Sequence, residues 1–335
     1  MRRGLVAALA TLAVLAVAPS ALAGSWAKPQ IKVVVAQGLM GPSVRHFRAG
    51  DNVTRRELGT ALAAFTGKAQ VVVDPDAEVT MAQLDAALVK ALGLKAAARE
   101  FKHKAADAGL KPPRRFGNEV VARLLWLRIN HPAETDALEL RPQDPATRAE
   151  TAYSFARALA LSQWDEDNVV ALADSFSLPH YGDWSARVLQ RAVHFIGYPY
   201  VWGGMWEHQE TLFGVTSRGG FDCSGFVWRV YKLQPFPGGG SLPAVLKGRT
   251  TYQMSGEVRK SRRIPFASVK AADVLFFGTE GRRSRPSEVD HTGIALGHGW
   301  MIQSSSQGVA LAPLTGWYHD RFAWARRPLR EAGLV

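Results

Sequence analysis

The sequence predicts two parts, an all-α N-terminal part built from repeats and an α+β C-terminal part in which a helix packs on a small antiparallel sheet. Three observations support this division. Helix-capping signatures recur three times in the first half of the chain. In the second half, alternating apolar residues indicate buried strands, and a lone cysteine opens a short amphipathic helix before them. The length of 335 residues suggests about two domains.

The first 23 residues have the pattern of an export signal. Arg2 and Arg3 form a basic start, residues 5–18 form an apolar run, and residues 21–23 have the small side chains of a cleavage site. The apolar run is shorter than the roughly 20 residues that span a bilayer. We expect a signal peptide over residues 1–23, a secreted protein and no membrane span after cleavage. An uncleaved anchor is the alternative.

Residues 24–161 contain three similar helix starts. Each of the segments 54–57, 80–83 and 147–150 begins with threonine and has glutamate or glutamine three residues later, which is the signature of a capping box. Amphipathic helices rich in alanine and leucine follow each segment. Because one such unit buries too little apolar surface by itself, we expect helix–loop–helix repeats that share a core.

These repeats resemble S-layer homology repeats, whose helix-opening signature is Thr-Arg-Ala-Glu. The third unit has this sequence, the first has Thr-Arg-Arg-Glu, and the second has lost both charges. The resemblance implies that the helical part binds an anionic secondary cell-wall polymer through the charged residues of the first and third units, which are Arg55, Glu57, Arg148 and Glu150. The alternative is that these side chains only cap helices.

The charge balance favours polyanionic partners. The chain has 41 Lys and Arg against 29 Asp and Glu, a formal net charge of +12. It has no RNA-binding aromatic motif, zinc finger or basic helix, so we expect a wall polymer and no nucleic acid as partner. One cysteine and no paired histidines argue against a zinc site. No metal and no other cofactor is expected.

Residues 162–183 are predicted to be a linker, because acidic residues cluster at 165–167 and because Pro179 and Gly182 interrupt any helix. The C-terminal domain, residues 184–335, is expected to open with a helix, since apolar residues recur there at helical spacing.

Cys223 is the only cysteine of the chain, so it has no partner for an internal disulfide. The apolar residues after it recur at helical spacing, which places Cys223 in the first turn of a helix with Asp222 as the N-cap. Free backbone N–H groups and the positive end of the helix dipole favour thiolate over thiol at this position. Cys223 is the candidate nucleophile, and a small buried hydrophobic residue is the alternative interpretation.

A nucleophilic thiol needs a base, and His291 is the candidate. Two strands are predicted around a turn at 297–299, and this turn pairs Gln303 with Gly293. Strand alternation then puts His291 and Gln303 on one face as diagonal neighbours, roughly 7–8 Å apart at the backbone. Gly293 leaves room for Gln303 to orient the imidazole towards Cys223. A register shift of one residue would move Gln303 to the opposite face.

Three motifs now resemble those of the NlpC/P60-type cell-wall cysteine peptidases, which have a papain-like fold. They are Pro-Tyr-Val-Trp-Gly-Gly at 199–204, Asp-Cys-Ser-Gly-Phe at 222–226 and His-Thr-Gly-Ile-Ala-Leu-Gly at 291–297. The resemblance covers about residues 184–327. It implies an α+β papain-like domain whose catalytic residues are Cys223, His291 and Gln303 and whose substrate-binding residues are Tyr200, Asp222 and Ser224. The long segment 205–220 departs from the family pattern and is expected to shape one wall of the cleft.

The expected function is that of a secreted, wall-associated peptidoglycan hydrolase. The resemblance implies a cysteine endopeptidase that cleaves stem peptides, often between D-isoglutamate and the diamino residue, as a D,L-endopeptidase does. Two alternatives remain open, which are a catalytically silent wall-binding protein and a thiol amidase or acyltransferase on the same fold. An activated Cys223 is expected to alkylate well below the pKa of about 8.5 of a free cysteine.

Overall fold

The computed structural model describes residues 25–131 and 139–335. The predicted signal peptide, residues 1–23, lies outside the described residues. Within the two described ranges, no helix combines the length and the apolar character needed to cross a membrane.

The N-terminal part is helical, as the sequence predicts. Its helices in the described ranges are α1 (Lys28–Ala36), α2 (Arg55–Thr66), α3 (Met81–Ala91), α4 (Lys95–Asp107), α5 (Phe116–Leu124), α6 (Arg148–Leu159) and α7 (Gln163–Ser175). Their buried faces are rich in alanine, leucine and valine and form one continuous core.

The three predicted caps start α2, α3 and α6. Thr54, Thr80 and Thr147 each accept a hydrogen bond from the backbone N–H three residues later. The first two caps are complete capping boxes. At the third, the Glu150 carboxylate instead lies 2.9 Å from Nε2 of the buried His131.

Backbone hydrogen bonds join the residues before these caps in a closed ring. The N–H of Val53 donates to Ala146 O (2.8 Å), that of Ala146 to Val79 O (2.7 Å), and that of Val79 to Val53 O (2.9 Å). The three units therefore meet around one centre in equivalent positions. This geometry fits repeats that share a core, whereas their assignment to the S-layer homology family stays a prediction.

Most of the segment predicted as a linker is helical. The acidic cluster is the first turn of α7, where Ser162 and Asp165 form a capping box. The far end of α7 packs on α4, and Phe176 contacts Phe101 and Trp300 at ring-centroid distances of 5.1 and 4.9 Å. Capping residues are also turn-forming residues, and this shared chemistry explains the error.

A buried arginine of α5 joins the helical part to the C-terminal domain. The Arg123 guanidinium donates to the carbonyls of Gly197 (2.6 Å) and Gln307 (2.7 Å). The side-chain amide of Gln307 donates in return to the carbonyl of Arg123 at 2.7 Å. The Glu139 carboxylate lies 2.7 Å from Arg123 and neutralises its charge.

The C-terminal domain begins with α8 and contains a β-sheet in its second half. Its helices are α8 (Asp183–His194), α9 (Cys223–Trp228), a π-helix (Arg229–Leu233), α10 (Leu242–Val245), α11 (Thr251–Gly256), α12 (Trp317–Arg321) and α13 (Pro328–Glu331). Its strands are β1 (Met205–Trp206), β2 (Glu210–Leu212), β3 (Val215–Ser217), β4 (Gly220–Phe221), β5 (Val274–Gly278), β6 (Val289–Gly297), β7 (Trp300–Ser305), β8 (Gly308–Pro313) and β9 (Phe322–Arg326). Short 3₁₀ turns lie at Lys260–Arg262, Phe266–Ser268, Gly281–Arg283 and Pro286–Glu288.

Strands β5 to β9 form an antiparallel sheet in the order β8-β7-β6-β5-β9. Helix α9 packs on β6 and β7, and its Phe226 and Val227 are fully buried. The opposite face of the sheet is covered by a second apolar cluster that includes Leu275 and Phe277. The predicted α+β architecture is confirmed.

The long segment 205–220 folds into two small two-stranded sheets. Strand β1 pairs with β4, and β2 pairs with β3 in a hairpin whose turn is Phe213-Gly214. Phe213 has a positive φ of 51° and is 81% exposed. Its ring lies over Gly203 in the motif next to Cys223, since a Cβ on Gly203 would be 2.8 Å from Phe213 Cε2.

Candidate active site

The predicted nucleophile occupies the predicted place. Cys223 is the first residue of α9, and Asp222 is its N-cap, whose carboxylate accepts a hydrogen bond of 2.5 Å from the N–H of Gly225. The thiol side chain is only 8% exposed. The backbone N–H groups of Ser224 and Thr292 act to lower the pKa of the thiol. Thr292 follows His291 in β6, and α9 packs on this strand, so the candidate base strand lies against the helix that Cys223 begins.

The strand register that the sequence predicts is observed. Gly293 pairs with Gln303, and Gly297 pairs with Trp300 across the turn after a register shift. A Cβ on Gly293 would lie 3.0 Å from the Cβ of Gln303 and 3.1 Å from Sδ of Met301. A side chain at position 293 would therefore crowd Gln303, as expected.

His291 is neutral at physiological pH in this environment. Burial lowers its pKa to about 4, and Asp290 and the side chain of Gln303 oppose this shift. Although the Gln303 amide lies within hydrogen-bonding range of the imidazole, its nitrogen donates to the Ser305 hydroxyl at 3.1 Å. Gln303 Oε1 and His291 Nε2 are buried atoms without a hydrogen-bond partner among the described residues.

Aromatic rings surround the imidazole. The rings of Phe277, Tyr318 and Trp317 lie 5.7, 6.0 and 6.2 Å from the centre of the His291 ring. Trp317 is 51% exposed and forms part of the rim. These rings exclude water from His291, which accounts for the lowered pKa of the imidazole.

The thiol does not have the lowered pKa that its place at a helix start predicts. Burial, and after it the Asp222 carboxylate, raises the pKa of Cys223 to about 12. The N–H groups of Thr292 and Ser224 and the charge of Arg249 oppose the shift. In the free protein the loss of hydration outweighs the helix dipole, so the resting pair is a neutral thiol and a neutral imidazole.

Arg249 is the principal residue of this site that the sequence analysis missed. Its guanidinium lies 3.1 Å from the Asp222 carboxylate and donates to the Ser224 hydroxyl at 2.7 Å. It also donates to the carbonyls of Gly203 (2.9 Å) and Gly204 (3.2 Å). A half-buried aspartate beside a nucleophile is expected to pair with a cationic side chain. The sequence alone does not identify which of the 41 Lys and Arg residues forms this pair.

The three predicted substrate-binding residues lie together around Cys223. Tyr200 forms a backbone bridge with Phe221, and burial and then the nearby Cys223 raise the pKa of its hydroxyl. The Ser224 hydroxyl donates to Asp222 at 3.0 Å. Asp222 also accepts from the N–H of Gly203 at 3.0 Å. The polar atoms of Asp222 and Ser224 thus hold the motif loops together, and their contact with substrate stays a prediction.

The four predicted polymer-binding residues do not form one cluster. Arg148 and Glu57 form an ion pair and line a cavity of about 510 Å³. Arg55 instead lies 3.2 Å from Asp74 at the surface, and the buried Glu150 faces His131. Glu150 lines a different, smaller cavity of about 290 Å³ together with His131.

In the described ranges, no group of three or more His, Cys, Asp or Glu side chains is arranged to hold a metal ion.

The C-terminal part of the chain contains a segment that matches a known protein family. Residues 197–327 match the model of the NlpC/P60 family. This range begins just before the Tyr200 motif, ends just after β9, and contains Cys223, His291 and Gln303.

Two curated relatives show what this domain is similar to. The gamma-D-glutamyl-L-lysine dipeptidyl-peptidase of Bacillus subtilis is 29% identical over 128 residues, which cover 38% of this chain and 34% of the relative. The murein DD-endopeptidase MepH of Escherichia coli is 32% identical over 142 residues, which cover 42% of this chain and 44% of the relative. The chain thus matches less than half of the length of either relative.

A crystal structure of an NlpC/P60 family protein from Bacillus cereus is also similar. It shares 23% sequence identity with a TM-score of 0.33, and the match covers 46% of this chain and 43% of that one.

Proposed function

We propose that this protein is a cysteine peptidase that hydrolyses peptide bonds in peptidoglycan stem peptides. The observation that supports the proposal is the packing of α9, which begins with Cys223, against β6, which carries His291, in a segment that matches the NlpC/P60 family model. Relatives of this domain are named as peptidoglycan or murein endopeptidases. Peptidoglycan is accordingly the proposed substrate.

The first chemical step follows from the two neutral groups. His291 takes the thiol proton as the sulfur of Cys223 attacks the peptide carbonyl carbon, and the carbonyl π electrons move onto oxygen. Substrate binding displaces water and supplies the alignment that this transfer needs. The backbone N–H groups at the start of α9 are the donors for the oxyanion.

The second half of the reaction returns the proton. The imidazolium of His291 protonates the leaving amine as the carbon–nitrogen bond breaks, which leaves a thioester on Cys223. Neutral His291 then activates water, which attacks the thioester and releases the acid and the thiol. Gln303 acts as a positioning residue that limits rotation of the imidazole.

The cleaved bond is proposed to be the D,L-type linkage between D-isoglutamate and the diamino residue. The names of the relatives refer to different bonds, a gamma-D-glutamyl-L-lysine bond in one and a DD bond in another. Digestion of purified peptidoglycan, read by mass spectrometry of the soluble fragments, identifies the bond. New peptide termini are expected with the wild-type chain and not with Cys223→Ala, and the absence of such termini would refute the proposed hydrolase.

Export and wall attachment complete the proposal. We infer that residues 1–23 direct secretion and that the helical part binds an anionic secondary wall polymer near Arg148. Arg48 and Arg56 line the same cavity as the Arg148–Glu57 pair, and both form exposed ion pairs, with Asp51 and Asp76 respectively. Full-length Cys223→Ala protein should sediment with intact walls and remain soluble with walls stripped of that polymer. Equal sedimentation with both would contradict polymer recognition.

One observation favours a second candidate, a catalytically silent wall-binding protein. The thiol is buried and its pKa is raised to about 12, so the free protein holds almost no thiolate near neutral pH. Slow alkylation of the free protein therefore does not separate the two candidates. Digestion of peptidoglycan does distinguish the peptidase from the silent wall-binding protein. In the same assay, an acyltransferase would form peptide–amine products when amine nucleophiles are added.

A further inference from the structure

A basic cavity of about 600 Å³ lies away from the residues assigned to catalysis. It is formed by α8, the loop after α4 and the π-helix that follows α9. The charged side chains that line it are Lys111, Arg187, Arg191, Arg229 and Glu207. None of the proposed catalytic or substrate-binding residues lines this cavity.

Helix α8 contributes two like charges to one face. Arg187 and Arg191 are four residues apart, a spacing at which like charges repel each other on a helix. Among the described residues, no carboxylate oxygen lies within 4.0 Å of Lys111, Arg187 or Arg191. The lining carboxylate, Glu207, is already bound to Arg229 at 2.5 and 2.7 Å. The cavity therefore holds three positive charges that no carboxylate neutralises.

Arg191 shows the effect of this crowding. Burial, and after it the charges of Arg229 and Arg187, lowers the pKa of its guanidinium to about 10. Its contacts are with uncharged groups, since it donates to the carbonyl of Val230 at 3.0 Å. An unbalanced guanidinium cluster of this kind costs the folded protein stability, and an anion in the cavity would relieve that cost.

Arg229 presents a donor without an acceptor. The residue is only 5% exposed, and its Nη1 atom is buried with no hydrogen-bond partner among the described residues. A buried hydrogen-bond donor without an acceptor is unfavourable, so we expect a ligand to provide the acceptor.

Aromatic rings hold the guanidinium planes in place. Arg191 lies over the ring of Phe236 at 3.4 Å, and Arg187 lies over Trp184 at 4.2 Å. Stacking covers the faces of the two groups, and one nitrogen of each donates to backbone carbonyls, Arg191 to Val230 and Arg187 to Pro237 at 2.7 Å. The other guanidinium nitrogens are the donors that a ligand can use. This arrangement suits a ligand with several oxygens in a compact, charged group.

We propose that this cavity is a binding site for a phosphate group. A carboxylate would supply one negative charge and two oxygens, whereas a phosphate monoester or pyrophosphate supplies about two or more charges and at least three acceptor oxygens. The larger charge matches the three unneutralised cations, and the extra oxygens provide acceptors for the several guanidinium groups that line the cavity. The ligand comes either from a free phosphorylated small molecule or from a phosphodiester polymer, and the inference does not rest on the peptidase proposal.

Binding can be measured on the full-length protein without any hydrolysis. Inorganic pyrophosphate and a glycerol phosphate oligomer are titrated separately by calorimetry, with sodium chloride at matched ionic strength as the blank. Saturating ligand should also raise the melting temperature by roughly 5 °C. Binding of pyrophosphate alone indicates a small-molecule ligand, and tighter binding of the oligomer indicates a polymer.

Variants connect the binding to this cavity. Arg187→Gln with Arg191→Gln should weaken it at least about tenfold. Because these side chains also pack on aromatic rings, Lys111→Gln serves as a second variant, since Lys111 is exposed and its replacement leaves the fold unchanged. The matched control is Arg282→Gln with Arg283→Gln, an exposed pair elsewhere with the same change in charge. No binding of either anion, or equal weakening in the control, would overturn the proposal.

Discussion

The guanidinium of Arg249 lies 3.1 Å from the carboxylate of Asp222, the residue that caps the helix carrying Cys223. The same guanidinium binds the carbonyls of Gly203 and Gly204, so one side chain joins the loop before the nucleophile to the helix start. The site therefore depends on a residue outside the three motifs that identify it.

Replacement of Arg249 by alanine should loosen both loops. We expect a loss of about 2 kcal/mol in the free energy of unfolding, because hydrogen bonds to charged groups contribute about 1.5–3 kcal/mol and this pair is partly exposed. Urea unfolding measures the loss, and Arg282→Ala is the exposed control. Equal stability of Arg249→Ala and wild type would show that the hydrogen bonds of Arg249 contribute no net free energy of folding.

The pH dependence of activity should reflect the low pKa of His291. Since the imidazole is the base in its neutral form and its pKa is about 4, kcat/KM should rise with pH through a value near 4 and not near 6.5. The raised pKa of Cys223 places the loss of the thiol proton far above neutral pH, so no decline is expected just above pH 8.5. A pH–rate profile with an acid limb near 6.5 contradicts this view of the free enzyme.

The same pKa affects stability. The unfolded chain binds a proton at His291 near pH 6.5 and the folded chain only near pH 4, so the free energy of unfolding should increase with pH between these values. His291→Gln should remove this part of the dependence, and the difference between the two unfolding curves isolates it from other groups. Parallel curves for the two proteins between pH 4 and 6.5 would mean that the imidazole is not desolvated.

Gln303→Ala tests the positioning role. Gln303 is fully buried, and its removal frees the imidazole to rotate, so kcat should fall roughly tenfold to a hundredfold with a small change in KM. Gln303→Asn should recover part of the loss, because it keeps an amide on the same face of β7. The exposed Gln163→Ala is the control for the assay, and unchanged kcat in Gln303→Ala would exclude the role.

Gly225→Ala should damage the fold at the nucleophile. A Cβ at this position would lie 1.9 Å from the carbonyl oxygen of Gly204 and 2.6 Å from Arg249 Nη2. Because backbone must move to relieve the contact, we expect a loss of about 1–3 kcal/mol in urea unfolding. Gly50→Ala is a suitable control, since a Cβ there meets nothing within 4 Å. If Gly225→Ala is as stable as Gly50→Ala, the loop at Gly204 can move away from the start of α9 without a loss of folding free energy.

The sequence predicts those features that local rules determine. The caps at Thr54, Thr80 and Asp222 depend on a few neighbouring residues, and the pairing of Gly293 with Gln303 depends on one short turn. These features are all observed.

Features that depend on distant packing could not be predicted in the same way. The pKa of Cys223 depends on how much water the folded domain excludes, and a helix start gives no information about that. Arg249 reaches Asp222 across 27 positions of sequence. The acidic cluster at 165–167 was assigned to a linker because cap residues and turn residues share the same chemistry.

The position of Arg123 limits how freely the two halves of this chain can be exchanged with other proteins. This single side chain from α5 binds the carbonyl of Gly197, three residues before Tyr200, and that of Gln307, four residues after Gln303. The helical half thus supports both sides of the candidate active site as well as being a candidate anchor. A chimera that fuses residues 184–335 to a foreign anchor would lose this support, so transfer of the C-terminal domain should succeed only when α5 is transferred with it.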